Sequence, residues 1–393
     1  MVLSSAAAKP PMETSAGAKV RVMVVDDSVV IRGLVSRWLA EDNEIEVVAK
    51  CANGALAVEQ IGTALPDVVI LDIEMPVMDG LTALPKLLQA KPGVHVIIAS
   101  TLTKRNAAIS LKALALGAAE CLPKPEGNSG VTTSTDFRRD LLLKVRGLGG
   151  LDGVARRRPA PARPVGAAAT AAGAKAARAE DHSRHEDDQK VKLLSYNSGK
   201  PKVLAIGSST GGPQALAKVL ENLNGAIAGI PCFITQHMPP TFTAMLAQNL
   251  TRSSGLECKE AEDGEVPKAG HVYIAPGGKH LLIKRQGVGH VCRLDDGPPV
   301  NFTKPCVDIM FDSIIESFGS KILSVVLTGM GSDGAKGAAR IRAAGGNVIA
   351  QDEASSVVWG MPGATAQSGT CSALLPLDRI GREINRVCLG AVH

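Results

Sequence analysis

The sequence predicts an α/β protein built from two doubly wound parallel-sheet domains joined by a long flexible linker. Three observations lead there. Short Val- and Ile-rich runs alternate with amphipathic stretches from residue 20 to about 125 and again from 201 to the end. Aromatic residues make up only 3% of the chain and apolar residues 45%, the balance expected where aliphatic strands are buried under Ala- and Leu-rich helices. Between the two alternating regions lies a tract nearly devoid of large apolar side chains. At 393 residues the chain is long enough to give each region its own core.

Residues 1–19 carry neither periodicity nor an apolar targeting core and are expected to be disordered. From Val20 the runs VRVMVV, IEVVAKC, DVVILD, VHVIIAS and AECLPKP read as strands, with SVVIRGLVSRWLA, GALAVEQIGTA, GLTALPKLLQA and AISLKALALG as the helices between them. DFRRDLLLKVRG then reads as a trailing helix with an acidic N-cap and a Gly stop, so the first domain spans 20–148. Residues 149–199, rich in Ala, Pro, Gly and charge, read as the linker. His182 and His185 stand there at H-x-x-H spacing, which in so polar a tract points to solvated side chains rather than to a metal. The second domain, 200–393, resumes with KVLAIG, PQALAKVL, PCFITQ, TAMLAQNL, HVYIAP and HLLIK. A helix over Val307 to Phe318 follows, then KILSVVLTG, AKGAARIRAAG, NVIAQD and a last helix near Leu377 to Val387.

The net charge of +5 is small for this length, and Arg156, Arg157, Arg158 and Arg163 of the linker supply much of it. The folded parts are therefore not expected to bind nucleic acid. The eight cysteines contain no C-x-x-C pair, which argues for reduced thiols, against zinc, and for a cytoplasmic protein. No apolar run approaches the roughly 18 residues of a membrane span. A soluble protein without direct membrane insertion is expected.

In the first domain the first strand ends in Asp26 and Asp27 and the third in Asp72. Parallel strands bring their carboxyl ends to one edge, so the three acids should meet there. Like charges that close need a cation, and an all-oxygen set suits Mg²⁺. Ser100 and Thr101 end the fourth strand and Lys124 the fifth, so a hydroxyl and an ammonium face the acids. Such an edge can hold a phosphoryl group in line with a carboxylate. Acids merely solvated in loops would explain any one of these positions, but not all of them together. VVDDS, LDIEMPVMDG, Ser100 and PKP resemble the response-regulator receiver family, a flavodoxin-like fold. That resemblance implies Asp72 as phosphoacceptor, Asp26, Asp27, Asp72 and the Glu74 carbonyl as Mg²⁺ ligands, Ser100 and Lys124 as the residues that sense the phosphoryl, and a sensor histidine kinase as phosphodonor.

In the second domain VLAIG runs into Gly207-Ser208-Ser209-Thr210-Gly211-Gly212-Pro213, where glycines permit a sharp turn that presents Ser209. The same turn could cradle a phosphate, though it lacks the P-loop lysine and the G-x-G-x-x-G spacing. His237 follows the strand PCFITQ, and Asp333 follows KILSVVLTG. Ser, His and Asp at one sheet edge are the set for nucleophilic acyl transfer, with His237 taking the Ser209 proton and Asp333 fixing the imidazole. The chain order Ser, His, Asp and the absence of G-x-S-x-G separate it from α/β-hydrolases. Each residue also has an ordinary role open to it: helix cap, hydrogen-bonded loop residue, turn former.

IGSSTGG, QHMPP, YIAPGGKHLLI, PPVN, LTGMGSDGAKG and QDEASSVVWGMPGA resemble the chemotaxis methylesterase family, CheB, over almost the whole of this Rossmann-like domain. The resemblance implies a protein-glutamate methylesterase, often also a protein-glutamine glutaminase, acting on the cytoplasmic helices of methylated chemoreceptors in sensory adaptation. Ser209, His237 and Asp333 are the implied triad, with the Met330 N–H as oxyanion donor, Thr210 in support, no cofactor in the esterase domain, and control by phosphorylation of the receiver. The chain departs from the family in Phe302 and Thr303, where a basic or imidazole side chain is expected, and in Cys306, where Ser is usual. Two other functions remain open on the residues alone: a non-enzymatic signalling adaptor, and a phosphorylation-controlled nucleotide-binding enzyme.

Overall fold

The structure is a computed structural model that describes residues 19–101, 103–124, 134–151, 191–223 and 225–390. The chain divides into two compact units, residues 1–153 and 154–393. His182, His185 and the arginines of the 156–163 stretch lie outside the described residues.

The first unit runs β1 (Val20–Val25), α1 (Val29–Ala40), β2 (Ile45–Cys51), α2 (Gly54–Ala64), β3 (Val68–Asp72), α3 (Gly80–Ala90), β4 (His95–Thr101), α4 (Lys104–Ala115), β5 (Glu120–Lys124) and α5 (Thr135–Leu148). Its sheet order is β2-β1-β3-β4-β5, with every pairing parallel. The order reverses at β1, so the crevice at the carboxyl ends of β1 and β3 is where a doubly wound sheet places a ligand. Val22, Met23, Val25, Val69 and Leu71 are wholly buried, which explains unbroken apolar strands where alternation would mark a half-exposed sheet. The N-cap of α5 is Ser134, whose hydroxyl accepts from the Phe137 N–H at 3.1 Å. The acid expected to cap it, Asp136, stands instead in the first turn, where its charge favours the helix N-terminus. Phe137, Leu141 and Val145 are buried, so this helix is an integral layer of the unit.

The second unit contains β6 (Val203–Ser208), α6 (Gly212–Leu220), β7 (Cys232–Gln236), α7 (Phe242–Ser254), β8 (Glu257–Glu260), β9 (His271–Ile274), β10 (His280–Gln286) and β11 (Gly289–Asp295). It continues with α8 (Val307–Phe318), β12 (Ile322–Val326), α9 (Ala335–Ala343), β13 (Asn347–Gln351), α10 (Met361–Gln367), β14 (Ala373–Leu375) and α11 (Leu377–Leu389). The main sheet has the order β14-β13-β12-β6-β7-β9-β8, again with parallel pairings. β10 and β11 form a separate antiparallel hairpin. The direction of winding switches at β6, which has β7 on one side and β12 on the other.

Residues 191–199, read from composition as linker, pack on this unit. The Leu194 N–H donates to Cys371 O at 2.9 Å, the Asn197 N–H to Asn347 Oδ1 at 2.8 Å, and the Tyr196 hydroxyl to Glu383. A run of only three large apolar residues, Val191, Leu193 and Leu194, carries too weak a pattern to stand out from its polar surroundings.

Candidate functional site

In the first unit the carboxylates of Asp26, Asp27 and Asp72 lie within 4.8 Å of one another. Lys124 Nζ is 2.7 Å from Asp26 Oδ2 and 2.9 Å from Asp72 Oδ1. Backbone amides add to this, the Ser28 N–H donating to the other oxygen of Asp26, Oδ1, and the Ile73 N–H to the same Asp72 Oδ1 that Lys124 contacts. Burial pushes Asp72 up to about 6 against the pull of the Lys124 ammonium, and the Asp26 charge adds to the rise. Burial alone would lower Lys124, but the two carboxylates hold it above its ordinary value. An acid raised in this way is short of positive charge, and the all-oxygen donor set fits a hard divalent cation. Glu74, Ser100 and Thr101 join Asp27, Asp72 and Lys124 around a cavity of about 360 Å³. Asn106 also lines it and donates from Nδ2 to Thr101 Oγ1 at 2.7 Å; nothing in strand-end logic pointed to this residue of α4.

The second site is built from three loops at the carboxyl ends of adjacent strands. After β6 the chain turns sharply: the Ser209 N–H donates to Thr328 O at 3.0 Å, and the Gly212 N–H returns to Ser209 O at 2.7 Å. Gly211 makes the turn at a φ of 76°, in the left-handed region that glycine enters without penalty. Thr210 is buried, and its carbonyl accepts from the Thr328 hydroxyl at 2.9 Å. Gln236, the last residue of β7, accepts from the Ser208 hydroxyl at 2.7 Å and donates to Ser209 O at 2.9 Å. It thereby locks the serine turn to the strand that delivers His237. Sequence reasoning passed it over, because a strand-end glutamine has no spacing signature.

His237 Nε2 lies 2.8 Å from Asp333 Oδ2. The same Asp333 carboxylate accepts from the N–H groups of Val307 (2.7 Å), Asp308 (3.0 Å) and Gly334 (3.0 Å), and from the Cys306 thiol (3.1 Å). Val307 and Asp308 open α8, so the helix N-terminus holds a buried anion. Burial alone would raise Asp333, but the His237 contact and the Val307 amide hold it well below the usual carboxylate range. Burial and the Asp333 charge push the Cys306 thiol up to about 12, so it stays protonated and donates. Cys306 itself is placed by His280, whose Nδ1 accepts from the Cys306 N–H at 3.2 Å.

Ser209 and the Asp333 loop are in close packing. A Cβ added to Gly329 would lie 2.8 Å from Ser209 Cβ, so only glycine lets the loop after β12 approach the serine turn. Met330 follows directly, half-buried. Among the described residues, Ser209 Oγ makes no hydrogen bond to His237. Catalytic hydrogen bonds are often long before substrate binds. His237 and Asp333 are thus joined, and Ser209 packs on Gly329 in the loop that carries Met330 and Asp333.

Two family models match the chain, CheB methylesterase over residues 204–384 and response regulator receiver domain over residues 22–135. A protein-glutamate methylesterase/protein-glutamine glutaminase of Rhodopseudomonas palustris is 52% identical over 391 residues, covering 99% of both chains. The chain belongs to the CheB methylesterase family. A protein-glutamate methylesterase/protein-glutamine glutaminase of group 2 operon from Bradyrhizobium diazoefficiens is 51% identical, covering 94% of each chain. The crystal structure of the Thermotoga maritima CheB methylesterase catalytic domain is 42% identical and covers 48% of this chain and 99% of that one, with a TM-score of 0.46. Within the family Ser209, His237 and Asp333 fall inside the methylesterase match, and Asp26, Asp72 and Lys124 inside the receiver match. No helix among the described residues is long and apolar enough to cross a membrane.

Proposed function

We propose that this chain is a phosphorylation-controlled hydrolase that demethylates glutamate γ-methyl esters on the cytoplasmic helices of chemoreceptors and deamidates particular receptor glutamines. The observation that carries the reading is the His237–Asp333 contact at 2.8 Å, anchored on the amides that open α8 and set beside Ser209 at the switch point of the sheet. Because Nε2 faces Asp333, Nδ1 is the nitrogen left to take the Ser209 proton. Ser209 Oγ attacks the γ-carbonyl, and the Met330 N–H stabilises the oxyanion, with Thr210 supporting the turn. His237 then returns the proton to the leaving methoxide, releasing methanol, or to the leaving amide nitrogen, releasing ammonia. Water, deprotonated by His237, hydrolyses the acyl-enzyme to glutamate and free Ser209.

The same proposal takes residues 20–148 as the receiver, with Asp72 accepting phosphate from a sensor histidine kinase in the cytoplasm. Asp26, Asp27, Asp72 and the Glu74 carbonyl would hold Mg²⁺, which supplies positive charge against the phosphoryl oxygens. Lys124 would hold the other face of that charge, and Ser100, which lines the same cavity, would sense the new group. Methanol release from methylated receptor membranes tests the reading. Ser209→Ala should lower it at least about a thousandfold while the fold persists, and Ser209→Ala/His237→Ala should be little worse than either single variant. Turnover near wild type in Ser209→Ala would remove the serine mechanism.

A further inference from the structure

One buried side chain binds the serine turn and the segment that grips the Asp333 loop. Thr328 stands two residues beyond β12 and is 1% exposed. Its N–H donates to Oε1 of Gln351, the last residue of β13, at 2.8 Å, and its carbonyl accepts from the Ser209 N–H at 3.0 Å. Its hydroxyl donates to Thr210 O at 2.9 Å and accepts from the Val358 N–H at 3.0 Å. Val358 in turn holds the residue after Thr328: the Gly329 N–H donates to Val358 O at 3.0 Å, and Gly329 O accepts from the Met361 N–H at 2.8 Å. The Thr328 methyl fixes the direction of the hydroxyl. A Cβ added to Gly211 would lie 3.2 Å from Thr328 Cγ2, so the methyl packs under the glycine of the serine turn, where a β-branched side chain has little freedom about χ1.

We propose that Thr328 is a positioning residue for acyl transfer, its hydroxyl setting the serine turn in register with the loop that carries Met330 and Asp333. The inference rests on the serine mechanism proposed above. Ser209 and Thr210 follow β6, residues 329–333 follow β12, and Val358 follows β13. These segments are far apart in sequence. The hydroxyl bonds two of them and the Thr328 backbone continues into the third, so all are tied to one side chain. Misplacing a reacting group by about 1 Å costs about a hundredfold in rate. Valine has the shape of threonine without the hydroxyl, so Thr328→Val takes this donor from Thr210 O and this acceptor from the buried Val358 N–H.

The test compares full-length wild type with Thr328→Val, Thr328→Ala and Thr328→Ser on methylated receptor membranes. A serine-reactive phosphonate counts the competent sites, so that kcat is expressed per site and a loss of folded protein is not read as a loss of rate. Thr328→Val and Thr328→Ala should lower kcat per site about ten- to a hundredfold, with KM within about twofold of wild type, as expected when an arrangement needed only in the transition state is disturbed. The rate of phosphonate labelling should fall with kcat while its final extent does not. Thr328→Ser keeps the hydroxyl and should remain within about threefold of wild type. A kcat per site within twofold of wild type in Thr328→Val overturns the inference, since the residue would then contribute only to stability. A loss in Thr328→Ser as large as in Thr328→Ala also overturns it, because the methyl rather than the hydroxyl would be the working group; this comparison stands even if Thr328→Val does not fold. Absence of both methanol release and phosphonate labelling in wild type would instead remove the serine mechanism itself, so the two failures are told apart.

Discussion

The Asp333 carboxylate accepts from the opening amides of α8, from the Gly334 N–H and from the Cys306 thiol before His237 adds its own contact. Such an oxygen pair cannot rotate, so it fixes the plane of the imidazole and the nitrogen left free for Ser209. Its pKa is lower in the folded chain than in the unfolded one, which makes the unfolded state bind more protons once the pH drops below about 4. The stabilisation from Asp333 is therefore complete above that pH and is lost as pH falls toward the folded value. Asp333→Asn should lower kcat by about four orders of magnitude, because the amide presents the wrong donor to His237, and should flatten the acid limb of stability against pH. An acid limb identical to wild type in urea unfolding would show that Asp333 does not carry it. Cys306→Ser keeps a donor toward Asp333 and should stay near wild type in activity. Cys306→Ala removes that donor from a buried carboxylate and should cost about 1 kcal/mol or more in unfolding free energy.

The loop after β12 and the turn after β6 pack closely at Gly329, next to the hydrogen bond from the Ser209 N–H to Thr328 O. An added Cβ would lie 2.4 Å from Met361 Sδ and 2.8 Å from Ser209 Cβ. The Met361 side chain can yield, but the serine turn cannot without losing its hydrogen bond to Thr328. Gly329→Ala should leave the domain folded yet lower kcat about a hundredfold, as expected when a reacting group is misplaced by about 1 Å; a kcat within twofold of wild type in the methanol assay would refute the close approach. The strand-end positions of Asp26, Asp72, Lys124, Ser209 and His237 were legible because a buried parallel strand is a mostly apolar run, and its end is marked by a switch to polar residues. Gln236, His280 and the amides of Val307 and Asp308 were not legible, since they act through hydrogen bonds across elements far apart in sequence. The hairpin of β10 and β11 was only half visible: HLLIK reads as a strand, but GHVCRLD mixes polar and apolar residues irregularly. The cap of α5 was misplaced by two residues because Ser134 and Asp136 both suit a helix start, and backbone geometry rather than composition chooses between them.

At the scale of the whole chain, the proposed function has phosphorylation of Asp72 control the esterase reaction at Ser209, and the segment 191–199 decides how that must be tested. A catalytic fragment cut at Pro201, where the strand pattern resumes, would remove the Leu194 contact to Cys371, the Asn197 contacts to Asn347 and Gly346, and the Tyr196 contact to Glu383. It would also remove the ring of Tyr196 from beneath Arg386, whose guanidinium carbon lies 5.2 Å from its centroid. With each hydrogen bond contributing about 1 kcal/mol, the shorter fragment should unfold at a clearly lower temperature than one beginning at Val191. Its instability would then be mistaken for a need for the receiver. The fragment from Val191 separates the two effects. If the unphosphorylated receiver restrains the esterase, this fragment should release methanol faster than the unphosphorylated full-length chain, by about 5- to 150-fold for a coupling of ordinary strength. Acetyl phosphate with Mg²⁺ should move the full-length chain toward the fragment's rate, and Asp72→Ala should abolish that response while leaving the fragment's advantage intact. Equal rates for the Val191 fragment and the unphosphorylated full-length chain would remove inhibition by the receiver from the mechanism and leave phosphorylation to act only by direct activation.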